Sequence, residues 1–167
     1  MRKKFSIPCL FLSLSLFMAS CGDGDVFKQY KELPGYKWER IEKGKSVVFE
    51  NINIKNTDDS YDISVMIRHT PYVNEEKISF KMLITSPSGI TRESVHTIAL
   101  KDRNGDKWIG DALGDYIDIE EVCKKYITLP EKGLYTIELV NMGKKYETLG
   151  VMELGLKVAK SDLEIVE

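Results

Sequence analysis

Cys21 is the residue whose surroundings most clearly indicate a chemical reaction. It follows basic residues at positions 2–4, an apolar run over residues 5–17 and the small pair at positions 19–20. This order is typical of a bacterial lipoprotein signal, in which a peptidase cuts before the cysteine and acyl chains are attached to it. We therefore predict that residues 1–20 are a signal peptide and that Cys21 is the first mature residue and the lipid anchor.

Two other interpretations of this segment are a retained transmembrane helix and an ordinary secretory signal. The apolar run is shorter than the roughly 20 apolar residues that span a bilayer, and serines interrupt it. An ordinary signal needs no cysteine directly after the small pair. The pattern favours lipidation, with residues 21–26 as a lipidated, acidic tether and residues 27–167 as a single β-sandwich domain held close to the membrane.

The charge of the mature chain argues against nucleic-acid binding, and its cysteine content argues against an intrachain disulfide. Without the signal, the chain carries 21 basic and 26 acidic residues, a formal net charge of −5. Nucleic-acid binding is disfavoured because it calls for a basic field. Cys9 leaves with the signal and Cys21 is acylated, so no intrachain disulfide is expected. The remaining cysteine, Cys123, lies in a strand-like segment, where a small buried side chain is favoured over a reactive thiol.

The chain from residue 46 onward has the two-residue alternation of half-buried strands. Pro87 and Gly89 suit a type I turn, which predicts a hairpin on either side of them. No long apolar repeat at helical spacing is present, although residues 26–33 fit either one helical turn or an extended segment. We predict an all-β fold, an antiparallel β-sandwich or jelly roll of about seven or eight strands. The predicted strands are residues 46–54, 61–68, 78–85, 90–100, 122–129, 134–140 and 151–158.

Residues 101–116 interrupt the alternation and contain candidate metal ligands. Three oxygen-bearing side chains have the spacing that opens an EF-hand calcium loop, namely Asp102, Asn104 and Asp106. Lys107 replaces the loop glycine and Leu113 replaces the bidentate glutamate, so only an irregular calcium site stays open. The favoured interpretation is a metal-free turn in which Asp and Asn bond to local backbone and Trp108 is largely buried.

Four stretches of the mature chain together resemble one known family. They are WIGDALGD at 108–115, LPEKGLYT at 129–136, LGVMELGL at 149–156 and the opening VFKQYKELP at 26–34. In this order they resemble the gliding motility lipoprotein family H (GldH) of Bacteroidota. Ala112 stands where a glycine is expected, which indicates a backbone position that does not demand a positive φ. The resemblance implies an outer-membrane lipoprotein needed for gliding, linked to the associated protein-export machinery, without established catalytic residues.

The sequence contains no motif that predicts catalysis. His69 and His96 are its two histidines, and neither has a metal-binding motif or a cysteine cluster beside it. No Gly-rich phosphate loop precedes a helix, and no nucleophile elbow occurs. A carboxylate pair for glycoside hydrolysis stays open, because its spacing is spatial. We predict a protein that is not an enzyme and holds no cofactor.

Three classes of function follow, in decreasing order of support. The first is a non-catalytic lipoprotein that serves as an assembly or scaffold component of the gliding and export machinery, with other envelope proteins as partners. The second is a glycan-binding module, supported only by analogy with jelly rolls. An enzyme is the third. Glycan binding requires exposed aromatic side chains in one line on a sheet face, and the candidates are Tyr36, Trp38, Tyr61 and Tyr72.

The partner surface is predicted on irregular loops at one end of the sandwich, because loops on a rigid scaffold carry function. The expected location is the outer membrane, on its periplasmic face or at the cell surface. The candidate partner-contacting residues are Asp111, Asp115, Tyr116, Lys144 and Tyr146.

Overall fold

The computed structural model describes residues 24–40 and 46–162. The predicted signal peptide, Cys21 and the next two residues lie outside this part of the chain. Within the described residues, no helix reaches the length and hydrophobicity needed to cross a bilayer. The described chain folds into eleven strands and one 3-10 turn at Pro34–Tyr36. The strands are β1 (Asp25–Glu32), β2 (Lys37–Glu39), β3 (Val47–Ile54), β4 (Ser60–His69), β5 (Lys77–Thr85), β6 (Thr91–Ala99), β7 (Asp111–Leu113), β8 (Tyr116–Thr128), β9 (Gly133–Asn141), β10 (Glu147–Leu149) and β11 (Val151–Lys160).

The strands form two main antiparallel sheets that share one hydrophobic core. One sheet has the order β1-β11-β4-β8-β7 and the other β3-β9-β5-β6, while β10 and β2 make a separate ribbon. Alternate side chains of both sheets are buried in a common cluster, as the β5 residues Ile78, Phe80 and Met82 illustrate. The predicted all-β antiparallel sandwich is confirmed, but it has eleven strands, so the count of seven or eight is wrong.

The predicted hairpin around Pro87 is confirmed. Strands β5 and β6 pair without interruption from Lys77↔Ala99 to Thr85↔Thr91. The Gly89 N–H donates to the Ser86 carbonyl at 2.9 Å and closes the turn.

The four strands that the sequence did not predict are either very short or made by distant pairing. Strands β2, β7 and β10 have three residues each, too few to show an alternation. Strand β1 pairs with β11, and the T-shaped contact of Phe27 with Phe49, 6.4 Å between centroids, fixes its inner face. The helical alternative for residues 26–33 is therefore wrong. Because β1 begins at Asp25, it starts four residues after Cys21.

Strand β8 begins at Tyr116, six residues before the predicted start. Its first half alternates between buried Ile117 and Ile119 and outward carboxylates, one of which, Glu120, pairs with Lys157 at 3.1 Å. The register with β4 then shifts twice, near Cys123 and near residues 125–126. These bulges remove the simple alternation from the second half of the strand.

Candidate functional site

The predicted partner surface lies on loops at one end of the sandwich. At this end His69 of β4 pairs with Ile117 of β8 and with Val151 of β11. The chain crosses here from one sheet to the other through residues 70–76. We call the connections at this end, together with the short β7–β8 hairpin and the last residue of β9, the loop end, which comprises residues 70–76, 100–116 and 141–146.

Asp111, Asp115 and Tyr116 lie on the β7–β8 hairpin. Asp111 and Asp115 are exposed, whereas Tyr116 is half-buried beneath the Arg68 guanidinium, 4.4 Å from its ring centroid. Arg68 also donates to both Asp118 carboxylate oxygens at 2.8 Å. This bidentate bond raises the pKa of Arg68 above its usual value. Tyr116 thus fixes the hairpin to the sheet, and the two aspartates are the groups that a partner can reach.

Lys144 and Tyr146 lie on the connection from β9 to β10. Both are exposed, and Tyr146 keeps 57% of its surface accessible. Their backbone is held from below, since the Arg40 N–H donates to the Tyr146 carbonyl at 2.6 Å. Lys145, between them, pairs with Glu75 at 3.2 Å. The connection therefore presents exposed side chains on a fixed backbone.

The β7–β8 hairpin residues and the β9–β10 connection residues lie at the same end of the fold but do not contact each other. In the part of the chain that the structure describes, no hydrogen bond or ion pair joins Asp111, Asp115 or Tyr116 to Lys144 or Tyr146. A partner that contacts both groups would therefore bridge them across the loop end.

Asn141 holds the connection that bears Lys144 and Tyr146. It was not among the residues predicted from the sequence. Its side chain is buried, and its Nδ2 donates to the Trp38 carbonyl at 2.7 Å and to Thr148 Oγ1 at 3.2 Å. Its Oδ1 accepts the Gly143 N–H at 2.7 Å. An Asn that bonds to the backbone two residues on is a known turn signal, and Asn141 with Gly143 carries it.

The candidate calcium ligands form a turn. Asp102 Oδ1 accepts the backbone N–H of Asp106 at 2.9 Å and that of Lys107 at 3.3 Å. Asn104 and Asp106 are exposed. Among residues 24–40 and 46–162, no group of three His, Cys, Asp or Glu side chains is placed to hold a metal ion. The Asp102 carboxylate therefore caps local backbone, as a turn requires.

Trp108 packs against the core with a minor part of its surface exposed, in agreement with the expectation of a largely buried ring. It lies at the open end of the sandwich, where one face contacts His69 at 5.1 Å between ring centroids. Lys101 Nζ covers the ring at 4.7 Å from its centroid. The ring closes the core beneath loop 100–110 instead of entering it.

We expect Trp108→Ala to lower the free energy of unfolding by about 2 to 3 kcal/mol, less than for a fully buried aromatic residue. Urea denaturation measures this loss. The control, Asp106→Ala, should change stability by less than about 0.5 kcal/mol because its side chain is exposed. A calcium-dependent rise in melting temperature that disappears in Asp106→Ala would contradict the metal-free turn.

His69 is a buried core histidine. Its Nδ1 lies 2.9 Å from the Thr70 carbonyl, and its Nε2 has no hydrogen-bond partner in the described part of the chain. Burial lowers the pKa of His69, because the charged imidazolium would lose its hydration. The residue is therefore neutral in the folded protein near pH 7.

This burial predicts a loss of stability in acid. In the unfolded chain His69 binds a proton below about pH 6.5, whereas in the folded protein its lowered pKa keeps it neutral. The free energy of unfolding therefore falls as pH drops below that value. We expect His69→Gln to flatten the stability slope between pH 7 and 5 by up to about 1.4 kcal/mol per pH unit. His96→Gln should flatten it less, since His96 is only half-buried. Equal slopes in wild type and His69→Gln would contradict this.

The remaining nucleophiles are not set up for catalysis. Ser94 Oγ lies 2.8 Å from His96 Nε2, but in the described residues no carboxylate bonds to the other ring nitrogen, as a catalytic base requires. Cys123 is half-buried in β8, and burial raises the pKa of its thiol to about 11. A thiol with this pKa is protonated at neutral pH and is a poor nucleophile.

The sequence itself identifies the family. The model of the GldH lipoprotein family matches residues 25–158, which is most of the chain. The chain belongs to the GldH lipoprotein family. It is thus a gliding-motility-associated, membrane-anchored lipoprotein of the cell envelope, and the resemblance seen in its motifs is confirmed.

Among curated proteins, none matches this GldH lipoprotein. Among solved structures, the chain is similar to one described as a non-crystalline cellulose specific carbohydrate-binding module, CBM28, with 8% identity and a TM-score of 0.45. The similarity covers 81% of this chain and 73% of that one.

Glycines in the GldH motifs have structural roles. At Gly150, with φ of +87°, an added Cβ would lie 2.7 Å from the Val73 Cα, so the β10–β11 corner can pack against loop 70–76 only without a side chain. At Gly110, with φ of +105°, an added Cβ would lie even closer to the Asp118 carbonyl oxygen. Ala112 lies in strand β7 and has no positive φ, as its departure from glycine predicted.

The four aromatic candidates for glycan binding do not form a row on this GldH fold. Trp38 and Tyr61 are core residues with 1% of their surface exposed. Tyr36 and Tyr72 are exposed, but they lie outside the strands, in the 3-10 turn and in loop 70–76. These residues therefore provide no aromatic platform on a sheet face.

Proposed function

We propose that this GldH lipoprotein is a non-catalytic scaffold that holds a partner of the gliding and associated export machinery at the outer membrane. Family membership supports the association with gliding. The assembly role rests on the position of the loop end relative to the anchor.

The start of β1, which follows the predicted anchor, and the loop end lie at opposite ends of the sandwich, and this observation carries the proposal. The first residue of β1, Asp25, pairs with Ala159, whereas its last residue, Glu32, pairs with Glu153 nearer the loop end. With four residues from Cys21 to Asp25, the near end lies within about 15 Å of the lipid. The eight residues of β1 then extend about 25 Å further. A protein anchored in this way presents its loop end away from the membrane.

The loop end has the properties of a recognition surface. Asp111, Asp115, Lys144 and Tyr146 are exposed, and the backbone beneath them is fixed by Arg68, Arg40 and Asn141. A preformed backbone reduces the entropy lost on binding. The protonated Cys123 thiol and the unsupported Ser94 and His96 pair favour binding over turnover.

We expect charge reversal at the loop end to reduce recovery of the partner by about tenfold or more, since misplaced like charges cost several kcal/mol at an interface. The variants are D111K with D115K, and K144E, each tested by cross-linking and co-purification of the tagged lipoprotein from membranes. The matched control is D58K, because Asp58 is an exposed aspartate at the membrane-proximal end.

Folding and membrane attachment of each variant are checked by circular dichroism and by fractionation. The proposal fails if all loop-end variants recover partners as wild type does. It also fails if the purified protein degrades a glycan or a peptide.

A further inference from the structure

One lateral edge of the sandwich is open on both sheets. Strand β6 pairs only with β5, so its outer edge is unpaired among the described residues. Strand β8 pairs with the short β7 only through Tyr116 to Asp118, which leaves its edge unpaired from Ile119 onward. These two edges face the same side of the molecule, and unpaired strand edges are templates for added strands.

The two edges differ in regularity. Strand β8 carries bulges near Cys123 and residues 125–126, and Tyr126 has a φ of +53°. Such irregularities blunt an edge. Strand β6, in contrast, keeps nine consecutive residues in register with β5 and has no bulge. Strand β6 is therefore the edge that can accept a further strand.

A small cavity lies between these edges. Its volume is about 160 Å³, and residues of both β6 and β8 line it. This space is large enough for a single apolar side chain. Side-chain pockets beside a strand edge give specificity to β-strand addition. Its apolar lining consists of Ile84, Ile90, Ile127, Leu129, Pro130 and Tyr135.

The charged groups at the cavity are not balanced. Its two carboxylates are already engaged, since Glu93 pairs with Lys81 at 3.0 Å and Glu131 accepts three hydrogen bonds from Ser86 and Ser88 at 2.7 to 2.9 Å. Arg92 and Lys124 also line the cavity, and within the described chain neither makes a direct ion pair. Besides those hydrogen bonds from Ser86 and Ser88, the charge of Arg92 helps to lower the pKa of the Glu131 carboxyl, which leaves Lys124 as the cation in excess. One surplus positive charge beside an apolar pocket favours an anionic ligand group.

We propose that this edge groove, formed by β6, the second half of β8 and the cavity between them, binds an extended acidic peptide segment of a partner protein. The segment pairs its backbone with β6, places one apolar side chain in the cavity and directs a carboxylate to Arg92 and Lys124. The groove is separate from the loop end and provides a second contact.

A second copy of this chain fits the groove less well. The β6 residues that pair with the buried side of β5 are Arg92, Ser94, His96 and Ile98. None of them is acidic, so a copy paired through β6 offers no carboxylate from that face to Arg92. A partner segment with an acidic side chain can supply that carboxylate.

Panning a phage-displayed library of random ten-residue peptides on the full chain in detergent tests the proposal. We expect the selected peptides to carry acidic residues near an apolar residue. They should bind wild type about tenfold tighter than R92E/K124E, a change that corresponds to 1.4 kcal/mol. N-methylation of alternate peptide bonds should weaken binding to a similar extent, because it removes main-chain donors. If R92E/K124E does not fold, R92Q/K124Q replaces it in the binding comparison, because it removes the two positive charges without adding negative ones.

The controls separate the groove from the loop end. D111K/D115K should bind the selected peptides as wild type does. This result does not depend on whether the loop end binds a partner. Absence of any selected peptide, or equal binding by R92E/K124E or by N-methylated peptides, would overturn the proposal. So would sedimentation showing that the chain dimerises through this edge and that R92E/K124E abolishes the dimer.

Discussion

Cys21→Ala is expected to release the protein from membranes. The anchor that the sequence predicts is a lipidated Cys21, and stable attachment depends on acyl chains whose burial contributes about 0.8 kcal/mol per CH₂ group. Without Cys21 the lipoprotein route has no acceptor, so the signal should remain uncleaved or be miscleaved. Membrane fractionation and mass spectrometry of the N-terminus measure both effects.

The control for this experiment is Cys123→Ala. Cys123 is a half-buried thiol within β8, so its replacement should leave the protein in the membrane fraction. An unmodified thiol on Cys21 in the native mature protein would show that the anchor is assigned wrongly.

Asn141→Ala should produce the largest loss of stability among substitutions of polar residues at the loop end. The change leaves the buried Trp38 carbonyl and the Gly143 N–H without their partner and opens a small cavity. Each buried unsatisfied group costs about 1–3 kcal/mol, so we expect a loss of about 3–4 kcal/mol. The ribbon of β2 and β10 and the connection bearing Lys144 and Tyr146 should loosen with it.

Urea denaturation measures the loss, and hydrogen exchange at residues 142–149 locates it. Asn53→Ala is the matched control, because Asn53 is an exposed strand asparagine without a side-chain hydrogen bond in the described structure. If the two variants lose the same stability, Asn141 does not hold the loop end together.

Local alternation allowed the long strands to be predicted. Residues 78–85 alternate between core and surface, and their turn residues fix the hairpin with β6. Strand β1 was ambiguous because Phe27 faces the core and Tyr30 the outer surface, a spacing of three that also fits a helical turn. Only pairing with β11, more than a hundred residues away, decides between them.

The candidate site was predictable to a smaller extent. Loop composition pointed to Asp115 and Tyr146, which are exposed at one end of the fold. The sequence could not show that Tyr116 lies beneath Arg68, nor that Asn141 is buried. Both depend on residues brought together from distant strands, as does the packing of Trp108 against His69.

Site-specific photo-cross-linking in living cells tests the scaffold role most directly. A photoreactive amino acid replaces Tyr146 at the loop end or, as control, Asp58 at the membrane-proximal end; both positions are exposed. We predict a discrete cross-linked partner from position 146, lost in K144E, and none from position 58. Cross-linking from position 58 alone, or no adduct from position 146 in cells that glide, would contradict the proposal that the loop end holds the partner.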